Sequence, residues 1–286
     1  MQTMNDKDRC GICYSIFDPT GNITALAEGD VPVEDRPSAA AKIMALHPEV
    51  EQVGFVRFLS GEEGNTCQID LQMAGGEFCG NASMCAAGLF LLSDPFSDDP
   101  LDLKLRVSGA LQPVRVQVRR TGAGQFAASI LMPPSMSIEE PEFPLDNMAG
   151  KLPLVRMGGI SHIIVEPDSP FYALKETPEK AEQAVKTWCG MLSVECLGLM
   201  FLERNEENSS LTPLVYVPAC QTVFWERSCA SGTAAVGMYL AEKTGAPLDI
   251  TLSEPGGSLR VSADPDQKDV RLYETIRCTA GNLSLS

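Results

Sequence analysis

Apolar runs and polar breaks alternate along this chain in an order that occurs twice. A turn leads into a β-branched stretch, an amphipathic helix follows, then a hairpin, a helix of small residues and further strands. The first round reads Gly21-Asn22-Ile23-Thr24, PSAAAKIMAL from Pro37, EQVGFVRFL from Glu51, CGNASMCAAGLFL from Cys79 and Leu105-Arg106-Val107-Ser108. The second reads Ser161-His162-Ile163-Ile164, PEKAEQAVKTW from Pro178, ECLGLMFL from Glu195, CASGTAAVGMYL from Cys229 and Leu259-Arg260-Val261-Ser262. The offset between partners only rises, from 140 to 154 residues. One such match can arise by chance; five in the same order predict two copies of one α+β unit.

Local signals agree with that reading. Pro37 and Pro178 sit where the first turn of a helix tolerates a residue without an N–H. The first hairpin is predicted to turn over Gly61 to Asn65, between VGFVRFL and CQIDLQM. The second small-residue helix is expected to stop at Lys243-Thr244-Gly245, with Pro247 beyond, and the first at Ser93-Asp94-Pro95. PPSMSIEEPEFPLD, from Pro133 to Asp146, suits a linker. The expected units are therefore 1–134 and 147–286, joined by 135–146, with the C-terminal strand free to cross back.

Composition narrows the function. At roughly 150 residues per domain, 286 residues make about two. Hydrophobic residues at 44% and charged residues at 21% are an ordinary globular balance. A net charge of −16 argues against nucleic acid or an anionic membrane as partner. The longest apolar run, Cys85 to Leu92, is far short of the roughly 20 residues of a membrane helix. The N-terminus lacks a basic stretch followed by an apolar core, so no export signal is expected and the location is read as cytoplasmic. The 10 cysteines are then expected as reduced thiols. With 2 histidines, a three-histidine metal site is impossible, and no metal is expected.

The chemistry points to the two small-residue helices. Cys79 and Cys229 each stand beside a helix N-terminus followed by small polar residues. Such a terminus carries about +0.5 of a charge and free N–H donors, a seat for a carboxylate. The same field is expected to lower a thiol from about 8.5 toward neutrality. If the helices converge on one amino acid, one thiolate can take the α-proton while the opposite thiol protonates the other face. The carbanion's charge spreads into the held carboxylate, so no cofactor is required.

The signature GGEFCGNASMC (Gly75 to Cys85), MGGISH (Met157 to His162), WERSCASGTAA (Trp225 to Ala235) and EPGGSLRV (Glu254 to Val261) resembles the diaminopimelate epimerase family, cofactor-independent two-cysteine enzymes. The resemblance implies an α+β fold of two pseudo-symmetric lobes, each a curved, mostly antiparallel sheet around a central helix, with the site between them. It implies Cys79 and Cys229 as the acid–base pair. Gly80, Asn81, Ala230, Ser231 and Gly232 would hold the α-carboxylate. Asn22, Gln52 and His162 match positions near the substrate, and Glu226 matches a glutamate that helps hold the amino group. Diaminopimelate epimerases carry a longer segment before the second cysteine, which Glu226-Arg227-Ser228 compresses here. The compressed forms look more like the family's histidine racemase branch, in which a glutamate of the EQVGF segment, here Glu51, is implicated. Arg227 either contacts an acidic side chain or faces solvent.

Plainer roles are expected elsewhere. The eight other cysteines read as small core residues. Cys10 and Cys13 have redox or metal spacing, but no second such pair completes a zinc site. His47 reads as a surface or capping residue. The leading expectation is an amino-acid racemase, with histidine as substrate and a homodimer possible. The alternatives are diaminopimelate as substrate, or a two-lobed protein that binds amino acids without turning them over.

Overall fold

The burial pattern of each helix follows from its composition. In the computed structural model, which describes residues 11–94, 99–204, 208–267 and 269–285, α1 (Arg36–Leu46) and α4 (Pro178–Leu192) bury one face. On α4 that face is Ala181, Ala184, Val185, Trp188 and Cys189, a helical stripe. By contrast α3 (Gly80–Ser93) and α5 (Ala230–Thr244) are buried on every side, because alanine, glycine, serine and cysteine let strands approach all round. A short α2 (Gly61–Thr66) stands where a simple turn was predicted. Cys10 and Pro95 lie outside the described residues.

In chain order the strands are β1 (Ile12–Pro19), β2 (Thr24–Glu28), β3 (Gln52–Phe58), β4 (Ile69–Met73), β5 (Leu101–Val107), β6 (Val114–Gly122) and β7 (Gln125–Leu131). Next come β8 (Ser137–Glu139), β9 (Glu142–Leu145), β10 (Met148–Lys151), β11 (Leu154–Arg156), β12 (Ser161–Val165), β13 (Leu197–Arg204) and β14 (Ser209–Val217). The last four are β15 (Thr222–Trp225), β16 (Leu248–Glu254), β17 (Gly257–Asp264) and β18 (Asp269–Leu285). Strands β1 to β7 pair in sequence, and β18 pairs with both β7 and β1, closing a ring of eight strands around α3. From β18 the sheet continues through β17, β16, β14, β13, β12 and β11 to β8, with α5 packed on it.

The two runs share one pairing grammar. β2 lies parallel to β3 and β4 parallel to β5; β12 lies parallel to β13 and β14 parallel to β16. The partner of β5 is thus β16, and the Leu-Arg-Val-Ser match fails as an equivalence, since its second copy lies one strand later on β17. The stretch expected as a linker carries two strands, β8 against β11 and β9 against β10. Pro133-Pro134 interrupts what β18 runs through unbroken, because proline cannot donate to a ladder. β8 and the C-terminal half of β18 therefore each close onto the run begun by the other half of the chain.

Glycines decide how closely the runs meet. Gly21, at φ 96°, lies under Gly256: a Cβ there would stand 2.6 Å from the Gly256 Cα. Gly159, at φ 76°, meets Gly109 in the same way at 2.7 Å. Side chains at either crossing would push the runs apart at the height where α3 and α5 begin. Among the described residues no helix is long and apolar enough to cross a membrane.

Candidate active site

Cys79 leaves the helical region at φ −130° and ψ 114°, and its Sγ accepts Ala82 N–H at 3.3 Å, so α3 starts at Gly80. Cys229 caps α5 likewise, at φ −136° and ψ 100°, its Sγ accepting Gly232 N–H at 3.4 Å. Sulfur is a weaker acceptor than the oxygen of a serine or aspartate cap. Each first turn therefore keeps N–H groups that a carboxylate satisfies better.

The two first turns touch. A Cβ on Gly80 would lie 2.9 Å from the Ala230 Cβ. Asn81 Nδ2 reaches across to the carbonyl and hydroxyl oxygens of Ser228 at 3.5 and 3.4 Å, and Ser228 Oγ donates to the Pro19 carbonyl at 3.2 Å. Both turns open into one cavity of about 440 Å³. Cys79, Gly80, Asn81, Cys229, Ala230 and Ser231 line it at this junction, and Asn22, Glu51, Gln52 and Glu226 line it beside them.

Each thiol has its own polar partners. Cys79 Sγ donates to Gln52 Oε1 at 3.1 Å. Gln52 Nε2 in turn donates to Asn22 Oδ1 and, at 2.8 Å, to Thr24 Oγ1. Asn22 Nδ2 ends the chain on Glu51 Oε2 at 2.7 Å. On the other side the Glu226 carboxylate hydrogen-bonds the Cys229 thiol. Cys229 N–H donates to Glu254 Oε2 at 2.7 Å, and Thr233 Oγ1 donates to Glu254 Oε1, which pins the start of α5 to the β16–β17 hairpin.

Two expected substrate contacts stand one layer back. His162 is fully buried, its Nε2 meeting Ser231 Oγ at 3.0 Å, and it does not line the cavity. Gly232 gives its N–H to Cys229 Sγ and is likewise behind the surface. Arg227 is exposed; its backbone hydrogen-bonds the Glu51 carboxylate, and its side chain does not line the cavity. His47 caps α1 and bonds Tyr14 Oη at 3.0 Å, as its position suggested.

The expected lowering of the thiols is reversed. Burial pushes Cys79 up to about 12, and the carboxylates of Glu226 and Glu77 push the same way. Burial, then Glu226 and Glu254, hold Cys229 well above the ordinary thiol value. One weak helix N–H bond per sulfur does not offset lost hydration plus two neighbouring carboxylates. Burial also raises Glu226 to about 8 and holds His162 down at about 3, so the imidazole is neutral.

Sequence reasoning missed Glu77, Cys220 and Glu254. Glu77 stands two residues before Cys79 and lines the same cavity; its closeness in sequence to the thiol was the available signal. Cys220 was assigned to the core, yet it is exposed and lines the cavity, because the β14–β15 turn folds over it. Cys13 is exposed too, on the first strand.

Residues 11–279 match the family described as the histidine racemase CntK N-terminal domain. The chain belongs to the histidine racemase family. It is accordingly an isomerase of the racemase and epimerase type. A histidine racemase of Fusobacterium nucleatum is 35% identical over 231 residues, 78% of this chain and 79% of the relative. A histidine racemase of Staphylococcus aureus is 28% identical over 252 residues, 87% and 88% of the two chains. Two solved structures share the fold. A hydroxyproline epimerase from Agrobacterium vitis superposes with TM-score 0.66 at 14% identity, covering 95% of this chain and 89% of its own. A phenazine biosynthesis protein of the PhzF family from Bacillus anthracis gives 0.55 at 13% identity, covering 96% and 97%. The histidine racemase fold is thus a mixed α/β one with a closed barrel of eight strands and few helices.

Proposed function

We propose that this enzyme racemises histidine by moving the α-proton between Cys79 and Cys229, with no cofactor. The observation that carries the reading is the contact of Gly80 with Ala230, which brings two thiol-capped helix starts to one cavity. The α-carboxylate is held by first-turn N–H groups of both helices, and Glu51 and Glu226 take the α-ammonium. That ammonium also readies the thiols. A unit charge about 4 Å away is worth about 4 kcal/mol at an effective dielectric of 20, about three decades in acidity. It lowers Cys79 from about 12 toward its ordinary value, as neutralised carboxylates stop opposing ionisation. One thiolate takes the α-proton, the charge moves into the carboxylate, and the facing thiol returns a proton to the opposite face.

Histidine rather than diaminopimelate is supported by the lining. Among the described residues the ionisable side chains along the cavity are Glu51, Glu77, Glu226, Cys79, Cys220 and Cys229, with no lysine or arginine. Three carboxylates welcome a substrate with a basic side chain and repel one with a distal carboxylate. The relatives named histidine racemase point the same way. The decisive experiment follows α-proton exchange in D₂O by proton NMR, with L-histidine and LL-diaminopimelate in parallel. Exchange and loss of optical activity are expected for histidine. Faster exchange with LL-diaminopimelate overturns the substrate, and tight binding of histidine without exchange overturns turnover altogether.

We also propose two pseudo-symmetric lobes, residues 1–134 around α3 and 147–286 around α5, joined by 135–146, with the C-terminal strand β18 crossing back to close the ring around α3. The shared pairing grammar supports the division. Thiols that must stay reduced to work suit the cytoplasm.

A further inference from the structure

One carboxylate in the cavity has no part in the proton path. Glu77 lines it beside Gly75, Val217 and Cys220. A Cβ on Gly75 would meet Glu77 Oε2 and would lie 2.6 Å from Val217 Cγ1 and 3.1 Å from Cys220 Sγ, so the carboxylate stands beside the β14–β15 turn that lines the cavity. The carboxylate accepts from the backbone N–H groups of Gly75 and of Glu77 itself. Those bonds fix its orientation. Its buried Oε2 has no hydrogen-bond partner among the described residues.

A buried carboxylate oxygen without a donor is costly, of the order of 1–3 kcal/mol or more for a charged group. At an enzyme cavity the missing donor is best supplied by the ligand. The other polar groups are already allotted. The first turns of α3 and α5 face the α-carboxylate; Glu51 belongs to the Asn22–Gln52–Cys79 chain and Glu226 to Cys229. What remains for Glu77 is the substrate's side chain.

Resting on the histidine reading above, we propose that Glu77 determines specificity by accepting the imidazole N–H of the substrate, which binds as a cationic side chain. On the β14–β15 side the cavity wall combines Val217, Ala219 and Phe224 with the polar Cys220, Gln221 and Thr222, and Ala74 and Gly75 line it on the chain that leads to α3. An imidazole ring fits such a slot with one polar edge, and a site built to bond an N–H rejects analogues lacking it far more strongly than a hydrophobic slot rejects a missing methylene.

The test compares L-histidine with L-β-(2-thienyl)alanine, a ring of similar shape with no N–H. Wild-type kcat/KM for α-proton exchange is expected to favour histidine at least a hundredfold. In Glu77→Gln that preference is expected to shrink at least tenfold, mainly through KM for histidine. Glu77→Asp, which keeps the charge on a shorter arm, should recover part of it. Equal losses on both substrates in Glu77→Gln overturn the proposal, since a structural role moves both alike. The wild-type arm stands even if the variant does not fold, because equal rates on the two substrates also overturn it. Absence of exchange with histidine in the wild type overturns the parent reading and this one together; a wild type that turns over histidine while Glu77→Gln keeps its preference overturns only this one.

Discussion

The separation of the two thiols rests on a missing methyl group. Gly80→Ala would place a Cβ 2.9 Å from Ala230 Cβ and 3.4 Å from Met132 Sδ. Carbon atoms in contact prefer roughly 3.5–4.0 Å, so α3 and α5 must part by about 0.6–1 Å at their first turns. Met132 can swing aside, but Ala230 cannot: it is 2% exposed and held by Cys229 N–H on Glu254. Overpacking of this kind costs about 1–3 kcal/mol of stability. The larger effect is on turnover, because in the proposed mechanism both sulfurs address one α-carbon from opposite faces and a misplacement of about 1 Å costs on the order of a hundredfold. Circular dichroism of histidine under turnover should show kcat reduced about 30- to 100-fold, and thermal unfolding should show a lower midpoint. Wild-type kcat at an unchanged melting temperature would refute the idea that this contact sets the spacing of the thiols.

The control is Gly190→Ala, whose Cβ would meet nothing within 4 Å on α4; it should raise stability by about 0.4–1 kcal/mol and leave turnover alone, and a loss of either would contradict the geometry. Cys79→Ser and Cys229→Ser should each lower racemisation by at least about a thousandfold, since a serine hydroxyl does not ionise in reach of neutral pH; optical rotation measures it, and a variant within tenfold of wild type removes that thiol from the mechanism. Stability should depend on pH through the buried carboxylates. Glu226, Glu254 and Glu274 sit at about 8 in the folded protein, against about 4.3 unfolded, so the folded state holds more protons between these values and loses stability as pH rises through them. His162, held at about 3, works in the opposite sense only below about 6.5. The melting temperature should therefore fall from about pH 6.5 to about pH 8, and Glu274→Gln should flatten the fall; a midpoint that rises over that range contradicts it.

Much of this architecture was legible in one dimension. Pro37 and Pro178 mark helix starts, the Cys-headed segments of small residues mark the buried helices, and their repetition in order is the ground for proposing two units. Such features are local: a helix start and a run of small residues depend on neighbours within a turn or two. The one false repeat, Leu105 to Ser108 against Leu259 to Ser262, shows where locality ends, because four residues of strand look alike on any strand.

The sequence by itself determined the chemistry available: two thiols at helix N-termini, few histidines and a surplus of acid. Only the tertiary structure decided how those groups ionise and which of them meet. Helix fields alone would have lowered Cys79 and Cys229, but burial and the carboxylates of Glu226, Glu77 and Glu254 raise both. His162 stands behind Ser231 and Glu77 faces the cavity, although their order along the chain carries no sign of depth. Hydration and Coulomb energy depend on distances across the fold, between residues as far apart in sequence as Gly21 and Gly256, and those distances exist only once the chain has closed on itself.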